Sequence, residues 1–264
     1  MQVVAVDWSG AATGASTRIW LARVADGELI ELRNGRSRAE VVDTLVALRA
    51  ACPEGLVVGL DFSFSFPAWF VEEQSCITIG DVWQRVALKG EDWLRACAPP
   101  FWGRPGRPRP DLVAHLRRAE EAIAVGGIRP KSIFQVGGAG SVGTGSLRGM
   151  PHLPRLRAAG YSIWPFDPVA PSSPFMVFEM YPRLFTGPVH KSDPLARARH
   201  WGQMPWQVAP AFARSILASE DAFDAAISAL ALYEHRAELA TLAPTSDPVT
   251  LLEGDVWSPF KIEP

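Results

Sequence analysis

Residues 3–10 read Val3-Val4-Ala5-Val6-Asp7-Trp8-Ser9-Gly10. Four unbroken apolar residues suit a strand covered on both faces, because a half-exposed strand would alternate apolar with polar. The run stops in acid and then turns. The same pattern returns twice downstream. Leu56 to Leu60 (LVVGL) is a second buried strand and ends at Asp61, and Phe175 to Phe178 (FMVF) is a third and ends at Glu179. Tyr161 to Trp164 adds a shorter strand candidate stopped by Pro165.

Between the first two buried strands lie a hairpin and a helix. Arg18 to Val24 and Glu28 to Arg33 flank Asp26-Gly27, a pair suited to the positive φ angles of a two-residue type I′ turn. Ser37 and Glu40 then form a capping box, followed by Val41, Leu45 and Leu48 at helical spacing. Near the other end, Asp221 to Leu232 (DAFDAAISALAL) is an alanine-rich helix with its acids in the first turns, where the helix dipole favours them. Strands, hairpin and helices together predict an α/β protein.

The middle of the chain reads differently. Residues 62–150 are rich in Pro, Gly and Arg and predict a helical and loop insertion, or lid, within a single domain spanning 1–264. Leu112 to Ala124 has helical periodicity with a charged face, whereas Gly137 to Gly149 carries too much glycine for a regular element and predicts a loop.

With 264 residues and an apolar fraction of 48%, the chain can bury a continuous core. A net charge of −2 argues against the broad positive field of a protein that grips long duplexes non-specifically. The three cysteines, Cys52, Cys76 and Cys97, form no C-x-x-C pair and leave one odd thiol, which argues against a disulfide framework or zinc knuckle. The N-terminus enters the first strand without a basic leader, and no apolar run approaches the roughly 18 residues of a membrane span. The expectation is a soluble, unprocessed protein of the cytoplasm.

Chemistry falls to the carboxylates. In an α/β sheet the functional crevice lies outside the carboxyl ends of the strands, so Asp7, Asp61 and Glu179 are candidates for one site. Asp221 and Asp224, three apart on one helix face, join them, with alanines beside them that allow close approach to the sheet. Packed carboxylates repel unless a cation neutralises them, and an all-oxygen set suits Mg²⁺ or Mn²⁺ rather than zinc. Two such ions about 4 Å apart clamp the attacking and leaving oxygens of a phosphodiester. Singly, each aspartate also reads as a strand-end turn former or a helix cap.

The chain resembles the bacterial and archaeal proteins described as predicted RNase H-like nucleases. The resemblance rests on VAVDWSGA at 4–11, GLDFSFSFP at 59–67, KSIFQVGGAGSVGTGSLRGMPHL at 131–153, FEMYPRLF at 178–185 and DAFDAAISALAL at 221–232. The strand-end aspartate, the hairpin and the late helix are also similar to the resolvase branch of that superfamily. The resemblance implies a mixed five-stranded sheet flanked by helices, with the first and fourth strands adjacent so that Asp7 lies beside Asp61. It further implies a metal-dependent nuclease with Asp7, Asp61, Glu179 and Asp224 as catalytic residues, and those four with Asp221 as metal ligands. Resolvases carry glutamate on the fourth strand; here that position is Asp61, and Glu179 has a strand of its own.

Basic residues supply candidate substrate contacts. Arg104, Arg107, Arg109, Arg117 and Arg118 follow Phe101-Trp102, an arrangement that suits single-stranded nucleic acid or a nucleotide, and that equally describes a solvated loop and helix face. Lys131 and Arg148 flank the glycine-rich stretch, whose amides suit an anion nest. His190 and Lys191 offer a proton shuttle or phosphate contact, or a plain surface loop. Gly138 to Gly143 matches the G-x-G-x-x-G fingerprint, but the glycines and Pro151 that follow argue against the helix a dinucleotide site needs. Three functions compete: metal-dependent phosphodiester hydrolysis on nucleic acid or nucleotide, an ATP-dependent phosphotransferase of the actin-like branch, and a catalytically silent module that binds metal or nucleic acid.

Overall fold

The apolar runs become strands. The computed structural model describes residues 1–111, 114–123, 127–169 and 174–259. Among them β1 (Gln2–Asp7), β2 (Trp20–Ala25), β3 (Glu28–Arg33), β4 (Leu56–Leu60), β5 (Ser162–Ile163) and β6 (Phe175–Glu179) form one mixed sheet in the order β3-β2-β1-β4-β6-β5. β4 pairs parallel with β1 and with β6, whereas β2 is antiparallel to β1 and β3. The sheet therefore has six strands and not the expected five. The strand beyond the five that the resemblance implies is the short edge strand β5, the candidate at Tyr161 to Trp164, which stops before Pro165 because proline has no N–H for the ladder.

The helices are α1 (Arg38–Ala51), α2 (Ala68–Glu73), α3 (Ile79–Ala96), α4 (Arg118–Glu121), α5 (Val142–Gly149) and α6 (Leu153–Ala158) in the first part of the chain. They continue as α7 (Arg183–Thr186), α8 (Pro194–Trp201), α9 (Pro210–Ala218), α10 (Glu220–Glu234), α11 (Arg236–Leu239) and α12 (Pro248–Glu253). Alternation along the strands divides the core in two. Val4, Val6, Val58 and Leu60 face α1, α3, α5 and α6, whereas Val3, Ala5, Val57 and Phe178 face α9 and α10. The alanines of α10 let it lie against β1 and β2. Where β4 meets this helix the residue is Gly59, and a Cβ there would stand 3.0 Å from Leu232 Cδ1.

Local signals account for the ends of these elements. Asp26 and Gly27 have φ of 51° and 83°, the two left-handed residues of a type I′ turn. Ser37 Oγ accepts from the Glu40 amide while Glu40 Oε2 accepts from the Ser37 amide at 2.7 Å, completing the capping box. α10 is capped by Ser219, whose Oγ accepts from the Ala222 amide, so Asp221 is a first-turn residue and not the cap.

Residues 62–150 contribute part of the core. Phe66, Phe70, Trp93, Phe101 and Phe134 form one aromatic cluster continuous with the sheet, Phe66 and Phe70 having ring centroids 4.9 Å apart. Phe101 and Trp102 are buried at 3% and 8% exposure, so they are core side chains and not an aromatic platform for nucleic acid. The expected loop at Gly137–Gly149 is corrected: Val142–Gly149 is helix α5. Its glycines weaken helix propensity but permit contacts that a side chain would block. A Cβ on Gly143 would stand 2.0 Å from the Ile133 carbonyl oxygen, and one on Gly10 2.4 Å from the Gly145 nitrogen. Tertiary packing thus outweighs a propensity cost of about 1 kcal/mol per glycine. The helix expected over Leu112–Ala124 shrinks to α4; Leu112, Val113 and Ala124 lie outside the described residues. No helix among the described residues is long and apolar enough to cross a membrane.

Candidate functional site

Because β1, β4 and β6 are parallel, their carboxyl ends open on the same edge of the sheet. Asp7 closes β1, and Asp61 follows β4 with its amide donating to the Val6 carbonyl at 3.1 Å. Their carboxyls are close enough to share a hydrogen bond. The start of α10 brings Asp221 and Asp224 to the same place, and the four aspartates line one open cleft of about 540 Å³ with Arg18, Arg104, Arg148 and Lys191.

Among the described residues one of these four carboxyls has a direct ion pair, Asp224 with Lys191. Burial above all pushes Asp7 well above the ordinary carboxylate range, reinforced by the charges of Asp61 and Asp221 and opposed by Lys191. Burial also pushes Asp61 up to about 6, with Lys191 and the hydrogen bond from Asp7 acting the other way. Asp221 is raised by burial and by Glu220. Asp224 is 2% exposed, pairs through Oδ2 with the Lys191 ammonium, and has no hydrogen-bond partner for Oδ1 among the described residues. Arg197, itself buried, donates to the Lys191 carbonyl and so anchors the backbone from which that side chain reaches Asp224.

Glu179 has a different neighbourhood. It lines a second cavity, of about 230 Å³, which shares Trp8, Gly10, Asp61 and Ser141 with the cleft. Both its oxygens accept from Arg117, and Oε2 also accepts from the Phe64 amide at 3.0 Å. Arg117 is fully buried, and the same guanidinium pairs with Glu120. Burial pushes Glu179 up to about 7 against the pull of Arg117. The structure therefore gathers Asp7, Asp61, Asp221 and Asp224 and sets Glu179 apart, with Asp61 between them.

The basic candidates divide in the same way. Arg104, Arg148 and Lys191 line the cleft and Lys131 the adjoining cavity. Arg148 is partly committed, pairing with Glu91 at 2.7 Å and donating to the Gly10 carbonyl. Arg107 lies in an exposed turn outside both cavities, and Arg118 pairs with Asp247 at 3.6 Å. His190 contacts Ser192 in an exposed loop. Sequence reasoning missed Arg18 in the cleft and Arg38, whose guanidinium holds the Ser9 and Ala11 carbonyls and shapes the turn after β1. It also took Arg117 for a solvated or nucleic-acid-facing residue; its spacing of three from Glu120 was the one available signal.

Hard divalent cations suit this donor set in kind: the carboxylates are all oxygen, and Asp224 Oδ1 is a buried acceptor without a donor. As the side chains stand, no group of three or more Asp, Glu, His or Cys among the described residues is drawn together as a metal site. The Lys191 ammonium neutralises Asp224, and burial favours the protonated form of Asp7 and Asp61. Comparison with family models, with curated proteins and with solved structures gave no match. The fold and site define an α/β protein with a six-stranded mixed sheet and an aspartate-lined cleft at its strand ends.

Proposed function

We propose that the chain is an RNase H-like, metal-dependent phosphodiesterase acting on nucleic acid or nucleotide, with Asp7, Asp61 and Asp224 as ligands of Mg²⁺ or Mn²⁺. The observation that carries this reading is Asp224: nearly buried, facing the cleft beside the Asp7–Asp61 pair, with one oxygen unpartnered. The strand order supports it, since β1 and β4 are adjacent and β2 is antiparallel, as the resemblance implies.

The ion supplies Lewis acidity and an activated water at neutral pH. The chain's own residues do the rest. Asp7 and Asp61 would hold the ion as carboxylates, so its binding would strengthen as pH rises through about 6. Lys191 and Arg104 line the same cleft and would face the phosphate oxygens of a bound substrate. Asp221, about one turn before Asp224 on α10, adds negative potential at the rim. The test is Mn²⁺ calorimetry beside hydrolysis of bis(p-nitrophenyl) phosphate and a single-stranded oligonucleotide, for wild type, Asp7→Asn and Asp224→Asn. Wild type is expected to bind and hydrolyse, and both variants to lose at least a hundredfold in rate. If wild type binds no Mn²⁺ at millimolar concentration with oligonucleotide present, the silent binding module is the better account.

A further inference from the structure

The second cavity has a chemistry that phosphate chemistry alone does not use. Its walls are apolar and aromatic, formed by Trp8, Phe62, Met180, Tyr181 and Val256. Besides Asp61, its acids are Glu120 and Glu179. An ionised carboxylate offers about four acceptor positions. Glu179 uses three, for two Arg117 nitrogens and the Phe64 amide, and Glu120 uses three, all for Arg117. Two carboxylates facing one guanidinium, each with an acceptor position left, call for a ligand that brings N–H donors. A flat aromatic ligand satisfies the walls and the donors satisfy the acids.

The side nearest the aspartate cleft favours an anion. Gly140, Ser141 and Val142 bring the start of α5 to the cavity, and the Ser141 side chain does not cap that helix. The Val142 and Gly143 amides donate to the Gly140 and Gln135 carbonyls at 3.0 and 3.1 Å, so what the start of α5 offers an anion here is the positive end of the helix dipole. Lys131 lies against the same turn: a Cβ on Gly140 would be 3.3 Å from its Cε, and the lysine makes no ion pair among the described residues.

We propose that this cavity is a nucleobase subsite, which takes one unstacked nucleotide with its base against Glu120 and Glu179 and its phosphate at Lys131 and the positive end of α5, beside Asp61. Guanine is the best match, because its N1–H and N2–H₂ donors stand side by side. At about 230 Å³ the cavity holds one base and not a stacked pair. The substrate is therefore a mononucleotide, a single-stranded end or a flipped base. This inference rests on the phosphodiesterase reading for the role of Asp61, and deepens it by substrate class.

The experiment is calorimetric titration of GMP, guanosine, UMP and ribose 5-phosphate in EDTA, so that no divalent ion contributes. GMP should bind most tightly. UMP, whose single N–H lies between two carbonyls, should bind at least tenfold more weakly, and ribose 5-phosphate should not bind measurably. Val142→Trp, which fills the cavity, should lose at least tenfold in GMP affinity while Mn²⁺ affinity is unchanged. Lys131→Ala, at an exposed residue that poses no folding risk, should weaken GMP and leave guanosine as it was. Equal affinity for GMP and ribose 5-phosphate would reduce the cavity to a phosphate site and overturn the proposal. Mn²⁺ binding without GMP binding defeats the subsite and leaves the metal reading intact; GMP binding without Mn²⁺ binding does the reverse.

Discussion

Replacing Asp7 by asparagine should stabilise the fold while abolishing metal binding. Asp61 holds its proton up to about 6 against an ordinary 3.8, which at about 1.4 kcal/mol per unit is a cost of about 3 kcal/mol for ionising it in the folded state. Asp7, raised further, adds to that. Both groups bind protons more tightly folded than unfolded, so their contribution to stability is present below pH 4 and is lost as pH rises through 6 and beyond. The substituted asparagine keeps the shape, and its amide can donate to Asp61, but it has no charge to place beside its neighbours. The variant should therefore gain about 1–3 kcal/mol over wild type at pH 8, and next to nothing at pH 4. For a domain of this size that corresponds to a rise in Tm of roughly 2–6 °C. The assay is thermal unfolding in EDTA at pH 4, 6 and 8, repeated with millimolar Mn²⁺, which should raise the Tm of wild type alone. An Asp7→Asn variant that is less stable than wild type at pH 8 without metal would refute the reasoning, because Asp7 would then be a structural hydrogen-bonding residue.

Three further outcomes follow from the packing. Arg117→Met should cost about 3–5 kcal/mol in urea unfolding, since it leaves Glu120 and Glu179 buried without their partner. Glu179, raised from 4.5 to about 7, should make the fold less stable as pH rises from 4.5 through 7, by at most about 3 kcal/mol, and Glu179→Gln should flatten that part of the stability–pH profile. Gly59→Val should cost about 1–3 kcal/mol by overpacking, because its Cβ would stand 2.8 Å from Met180 Sδ and 3.0 Å from Leu232 Cδ1; a thermal melt within 1 °C of wild type would contradict the close approach of α10 to β4.

The elements legible in the sequence are those set by local rules. Val3–Val6, Leu56–Leu60 and Phe175–Phe178 are strands because a run buried on both faces leaves no other economical solution, and Asp26-Gly27 and Ser37–Glu40 fix a turn and a helix start through their own backbones. α5 was illegible for the opposite reason. The glycines of Val142–Gly149 argue locally against a helix; they are there because Ile133 and Phe62 leave no room for a side chain at Gly143 and Gly149. The adjacency of Asp7 and Asp61 was readable through resemblance, and that of Asp224 through its helix.

The separation of Glu179 was not readable, because it depends on strand order and on one distant arginine. In the order β1-β4-β6, Asp61 stands in the middle with Asp7 on one side and Glu179 on the other, so strand-end acids need not share one centre. Arg117, 62 residues before Glu179 in the chain, decides which way that glutamate is used. A planar guanidinium satisfies a carboxylate bidentately and holds its charge when buried, so Glu179 has its counter-ion built in. Asp7, Asp61 and Asp224 share a single lysine, whose ammonium reaches one oxygen of Asp224 and leaves the other bare. Each acid carries the same charge at the end of an apolar element, and the difference lies in the cation supplied. Where the chain provides arginine the acids become a fixed acceptor wall, and where one lysine serves three aspartates a buried oxygen is left bare for a dication.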